Sequence, residues 1–208
     1  YYFHGGATVE LSDVIAARRS IRKFKQEDIS TDSVRLLLDA ARLAPSGSNL
    51  QPARFIVAQS PASKEALGRC TPYKFIAKAA VIFVCCADLT TITTRDTRVG
   101  ELLQEGVFEG VDMDMNDPSA VSPVMDAEAV KAYFAMNVAI AIEHIVLKAV
   151  DLGLGSCWLG RFDREKVKKF LALDESIHPV VLLPVGYPDQ LPKARPRFPL
   201  DKYVLKTI

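Results

Sequence analysis

The segment AYFAMNVAIAIEHIVLKAV, residues 132–150, leaves the chain few ways to fold. Its apolar residues run most of the way round a helical wheel, so a helix there must be covered on nearly every side. Asn137, Glu143, His144 and Lys148 interrupt it, which is too polar for an ordinary membrane span of roughly 20 residues. A long helix buried in a core or in a subunit contact is therefore expected, and no membrane. Asp126 stands where an N-cap belongs, and Glu128 suits the positive first turn. The run should end near Leu152, with Gly153 and Gly155 read as its terminators.

The remaining pattern alternates helix and strand. A helix is expected over residues 11–19. A second, TDSVRLLLDAARLA, is capped by Ser30 and stopped by Pro45, with Val34, Leu37, Leu38 and Ala41 at helical spacing. PSGSNLQP is a loop by composition. RFIVAQS reads as a strand, SKEALGRC as a short helix, and AVIFVCCAD as a central strand apolar on both faces. TTITTRDTRVGELLQEGVF should turn helical in its second half, and the acidic EGVDMDMNDPSAVSP should be a loop, a candidate lid. SCWLG is a short extended piece, Asp163 opens a helix, and HPVVLLPVGYP is a strand. The tail RPRFPLDKYVLKTI holds too many prolines to pack as a lone helix, and a tail of this kind wraps over a neighbour. Neighbouring strands are joined through helices rather than hairpins.

Length and composition fit this layout. The chain has 208 residues, 49% hydrophobic and 25% charged, enough for one domain over residues 1–208 with a sizeable core. Residues 1–8 are expected to be disordered or foreign to the natural chain, since YYFHGG lacks the positive region of a secretory leader. The formal charge of +1 and the lack of a basic stripe interleaved with aromatics argue against nucleic acid. Cys70, Cys85, Cys86 and Cys157 have no Cys-x-x-Cys spacing and read as free core thiols of a cytoplasmic protein. His4, His144 and His178 are too scattered for a metal site.

Familiar catalytic patterns fail one by one. GLGSCWLG has the wrong spacing for a dinucleotide fingerprint and closes a helix instead of opening one. No Gly-x-Ser-x-Gly elbow and no phosphate-binding Gly-x-x-x-x-Gly-Lys exist. DMDMND lacks the Gly and final Glu of a calcium loop. His144 and His178 read as structural residues. What remains is IAARRSIRKF, residues 15–24, with Arg18, Arg19, Ser20 and Arg22 crowded at a helix end. Cations suit a negative helix C-terminus; the same groups could equally hold a phosphate. Asn49 and Gln51 offer amides to the edge of a heterocycle, and Gly160 allows close backbone approach. Together these suit a ligand with an anionic end and a flat polar end.

RRSIRKF, APSGSNLQP, GLGSCWLG and PRFPL occur in series over nearly the whole chain. In this order they resemble the nitroreductase family of FMN-dependent oxidoreductases. That resemblance implies an α+β fold, with a central mixed sheet flanked by helices. It also implies an intertwined homodimer with an exchanged C-terminal arm and FMN at the dimer interface. By resemblance, Arg18, Ser20 and Arg197 would hold the FMN phosphate, and Arg19 would act mainly through its backbone. Arg22 would face the N1/C2=O edge. Pro45, Ser46, Ser48 and Asn49 would line the pocket beside the ring, from the other subunit. Leu159 and Gly160 would aim backbone N–H groups at N5, and Lys74 would be a second cation near N1. No protein group would be the catalyst, because the flavin carries the chemistry between NAD(P)H and an electron-poor small-molecule acceptor. Residues 90–125 would be the variable substrate-pocket segment, and Ala53 stands where many members have an aromatic residue. The alternatives are other flavin chemistry on the same fold (dehalogenation, flavin breakdown), a flavin-binding protein without turnover, and an arginine module for an acidic protein or nucleic acid.

Overall fold

A computed structural model describes residues 10–112 and 125–208. The expectation for residues 1–8, His4, and most of the acidic loop lie outside the described residues. Local signals set the helices. Helix α1 spans Leu11–Ala17. In α2, Thr31–Arg42, the Ser30 hydroxyl accepts from the Ser33 N–H at 3.0 Å, and Val34, Leu37 and Ala41 face inward. Strand β1 is Ala53–Ala58. Helix α3, Pro61–Arg69, starts on a Ser60 cap with proline in its first turn, where a missing N–H costs nothing. Strand β2 is Val81–Asp88, and helix α4 is Arg95–Gln104.

Helix α5, Ala127–Asp151, is the expected long helix. Asp126 Oδ1 accepts from the Ala129 N–H at 2.8 Å. Gly153, at φ +71°, ends the helix as expected, with the Leu154 N–H bonded to the Ala149 carbonyl at 2.7 Å. By length and apolarity alone α5 could cross a membrane. In the fold it is a core helix, with Phe134, Val138, Ile142 and Ile145 fully enclosed. Strand β3 is Gly155–Ser156, helix α6 is Arg164–Leu171 on an Asp163 cap, and strand β4 is Ile177–Gly186.

The strands order as β1-β2-β4-β3, and each named pair is antiparallel. The expected mixed sheet is thus corrected. Among the described residues, the parallel element is an isolated bridge between Ser20 and Ser156. A helical connection does not by itself make neighbours parallel: the stretch containing α3 returns the chain to the end of the sheet that it left. Strand β2 shows the period of two directly. Val81, Phe83, Cys85 and Ala87 pack toward α2 and α5, whereas Ile82, Val84 and Cys86 pack with Leu67 of α3 and Val167 of α6. All four cysteines are free and buried, and burial pushes the Cys86 thiol up to about 12.

Gly155 is not a helix terminator. A Cβ there would overlap the Ile21 side chain, so glycine is required by the close pass of residues 18–24 along β3.

On β4, burial holds the half-buried His178 below its ordinary 6.5; Arg164, Lys131 and Lys168 act the same way, and Glu128 opposes them. The unfolded chain therefore binds this proton more readily than the folded one. Stability contributed by neutral His178 is intact above about pH 6.5 and is lost as pH falls through the lowered folded value. We expect His178→Gln to flatten the acid-side fall of Tm. An unchanged slope would exclude His178 as its source.

Candidate functional site

The site begins where α1 stops. Arg18 turns extended, and the Ile21 N–H bonds the Ser156 carbonyl at 2.9 Å. Ile21 and Phe24 plunge into the fold, which leaves Arg18, Arg19, Ser20 and Arg22 on the outer side. Arg19 folds back: its Nη1 donates to the Ala16 carbonyl at 2.6 Å and to the Arg18 carbonyl at 2.8 Å. For Arg19 the helix-end reading therefore describes the side chain.

The tail is drawn to this segment by backbone bonds. The Lys25 N–H reaches the Tyr187 carbonyl and the Asp189 N–H reaches the Lys23 carbonyl, each at 2.9 Å, with a Lys23–Asp189 ion pair at 2.8 Å. Beyond it, Lys193, Arg195 and Arg197 meet Arg18, Arg19, Ser20 and Arg22 around a cavity of 470 Å³. Among the described residues, no carboxylate lines this cavity. Among the described residues, none of these lysine and arginine side chains forms an ion pair. Guanidiniums that converge on a void without an ion-pair partner are suited to receive an anion. Lys193 and Arg195 were missed by the sequence reading. The available signal was Arg195-Pro196-Arg197: in extended chain, residues two apart share a face.

Arg22 also borders a second cavity of 260 Å³, with Tyr73, Cys157, Trp158, Leu159, Gly160 and Arg161. A side chain at Gly160 would meet nothing within 4 Å. Its N–H finds no acceptor among the described residues. Leu159 departs from expectation: its N–H is spent on the Leu182 carbonyl at 3.1 Å, because residue 159 pairs with β4. Lys74 departs too. Its ammonium donates to the Gly68 and Thr71 carbonyls at 3.0 and 3.2 Å, neutralising the end of α3. The neighbouring Tyr73 lines the Arg22 cavity instead. Nearby on α5, burial raises the Glu143 carboxyl, opposed by Arg18 and the Trp158 indole.

Pro45, Ser46 and Gln51 line a separate cavity of 340 Å³ between α2, β1 and α5, and Ser48 and Asn49 line none of the three. Ser48, Asn49 and Gln51 all have φ near +50°, at 48°, 49° and 49°. Left-handed backbone costs non-glycine residues on the order of 1–2 kcal/mol each, so something must hold it. The Gly47 N–H donates to Asn137 Oδ1 at 2.8 Å, and Asn137 Nδ2 donates to the Tyr133 carbonyl at 2.7 Å. The Gln51 N–H reaches Ser46 Oγ at 2.9 Å. A Cβ on Gly47 would overlap the Tyr133 hydroxyl. One chain therefore brings residues 18–22 and 197 together, joins Gly160 to them through Arg22, and keeps loop 45–51 apart.

Helices on both faces of a short antiparallel sheet, with a cationic cavity at its β3 edge, define an α+β protein. Solved structures share this fold. One from Exiguobacterium sibiricum, in complex with FMN, superposes with a TM-score of 0.79 at 20% identity, covering 96% of this chain and 98% of that one. A nitroreductase family protein from Streptococcus pneumoniae gives 0.77 at 22% identity, over 95% and 100%. The chain belongs to the nitroreductase family, whose profile matches residues 15–187. An NADH dehydrogenase of Thermus thermophilus is 30% identical over 208 residues, 96% of this chain and 98% of its own. An NADPH-dependent oxidoreductase of Staphylococcus haemolyticus is 27% identical over 200 residues, 94% and 72% respectively.

Proposed function

We propose that this chain is an FMN-dependent NAD(P)H oxidoreductase, passing hydride to an electron-poor acceptor such as a nitroaromatic or quinone in a ping-pong sequence. The observation that carries this reading is the cavity of guanidiniums that shares Arg22 with the open backbone at Gly160. Arg18, Ser20, Arg195 and Arg197 would hold the phosphate, which bears about −1.5 to −2 charges near neutral pH. Arg22 would lie against the N1/C2=O edge, where fixed positive charge favours electron acceptance. The Gly160 N–H would serve the ring edge near N5. Bound FMN would supply hydride acceptance and donation, so the protein's tasks are holding, orienting and shielding.

The chain is proposed to act as a single-domain cytoplasmic homodimer. Three features support a second copy. Strand β1 is an edge of the sheet, and Tyr203, Val204, Leu205 and Ile208 at the end of the tail are exposed, as arm exchange would require. On α5, Met136 and Ile140 are also exposed. Loop 45–51 of the second copy would then complete the pocket beside the ring. Residues 90–125 would shape the acceptor site.

The purified protein is expected to be yellow. Anaerobic NADH or NADPH should bleach the visible flavin absorption, and a quinone or nitroaromatic should restore it. Retained flavin that neither reductant bleaches would instead mark a binding protein without turnover.

A further inference from the structure

Among the described residues, three polar side chains are deeply buried, namely Thr71, Asn137 and Ser156. Asn137 holds the Gly47 loop, and Ser156 belongs to β3. Thr71, 4% exposed, follows the end of α3. Its hydroxyl donates to the Arg161 carbonyl at 2.9 Å and accepts from the Tyr73 N–H at 3.3 Å. Beside it, the Asp163 N–H reaches the Cys70 carbonyl at 2.8 Å. Residues 70–73 are thus clipped to residues 161–163, across a separation of 90 positions at the Thr71 bond.

The clip bears on the Arg22 cavity, because Tyr73, Gly160 and Arg161 all line it, whereas Thr71 stands behind the wall and does not. Gly160 is the loosest link in that wall, since glycine has the widest backbone freedom. Both of its flanks are held. On one side Leu159 exchanges two bonds with Leu182, its N–H donating at 3.1 Å and its carbonyl accepting at 3.0 Å. The Leu159 carbonyl and the Gly160 N–H belong to one trans peptide unit, so they point in opposite directions. The Gly160 N–H is thereby turned away from β4, and among the described residues no β4 residue lines the cavity. On the other side the Arg161 carbonyl ends on Thr71. Without that bond the chain is free to pivot at Gly160, and the Tyr73 N–H loses its acceptor as well.

Resting on the flavin reading above, we infer that Thr71 is a positioning residue for hydride transfer, which acts by fixing the Gly160 amide and Tyr73 against the reacting edge of the flavin. Small misplacements at that edge slow transfer far more than they weaken binding, because the phosphate is gripped at the Arg18 cavity.

Two substitutions test this. Thr71→Val keeps the shape and removes the hydroxyl, and Thr71→Ser keeps the hydroxyl. With FMN loaded, the anaerobic bleaching rate at saturating NADH or NADPH should fall about tenfold in Thr71→Val. FMN affinity should change by less than about twofold. The visible bands of the bound flavin should shift in Thr71→Val, and Thr71→Ser should restore both bands and rate. In the flavin-free protein Trp158, the one tryptophan of the chain, reports on the same wall. Its quenching by acrylamide should rise in Thr71→Val and not in Thr71→Ser. If valine prevents folding, Thr71→Ala is read by the same criteria. An unchanged bleaching rate in Thr71→Val would overturn the inference, as would a loss of FMN affinity as large as the loss of rate, or a serine variant that behaves like the valine one. An unmodified protein that holds no flavin, or whose flavin neither reductant bleaches, would instead overturn the functional reading, and the role of Thr71 with it.

Discussion

Replacing Arg18 and Arg197 together with alanine is expected to strip FMN from the protein while leaving its melting temperature almost unchanged. The two residues lie far apart in sequence yet line one cavity. Each charge-assisted hydrogen bond to a phosphate is worth about 1.5–3 kcal/mol, so the pair should cost about 3–6 kcal/mol of binding. That corresponds to a loss of affinity of roughly 10²–10⁴-fold. Stability should shift by no more than about 0.5 kcal/mol, because neither side chain is buried and neither pairs with a described acid. Relief of repulsion within the like-charged cluster offsets the loss of the Arg18 charge that acts on Glu143. Fluorescence titration with FMN beside a thermal melt separates the two effects. Undiminished affinity in the double variant would sink the phosphate assignment. Arg18→Lys alone should be intermediate, since an ammonium keeps the charge but loses the planar fork.

Asn137→Leu should act in the opposite way, first on stability and through it on the pocket. Asn137 is 4% exposed and is the acceptor for the Gly47 N–H. Leucine fills a similar volume but accepts nothing, so that N–H loses its partner at a cost of about 1–3 kcal/mol. The left-handed residues 48, 49 and 51 lose their tether as well. A total of about 2–3 kcal/mol is expected, which for a chain of this size lowers Tm by roughly 4–12 °C. A melt indistinguishable from that of the unmodified protein would mean that α5 does not hold the loop. Because the Arg18 cavity lies elsewhere, FMN phosphate contacts should survive where the variant remains folded.

Much of the candidate site was legible because its residues cluster in short motifs. RRSIR announced a cationic helix end, and the Pro, Gly and Asn content of residues 45–52 announced a loop. Other assignments failed where the deciding partner lay outside the local window. Leu159 was expected to present its N–H to a ligand, but β4 takes that group. Lys74 was expected beside Arg22, but the end of α3 claims its ammonium. Arg195 sat two residues from Arg197 and was passed over, although extended geometry puts both on one side.

Taken alone, the amino-acid order determined the helix starts at Ser30, Asp126 and Asp163, the stop at Gly153, and the two-sided burial of β2. Each of these depends on groups a few residues apart, where backbone geometry is nearly the same in any fold. Tertiary structure decided that residues 18–22 meet residues 193–197, that Gly155 yields to Ile21, that Asn137 anchors Gly47, and that the strands run antiparallel. Those outcomes depend on which distant surfaces come into contact. Contact between distant segments is selected by burial summed over the whole chain, a quantity that no short window of sequence contains.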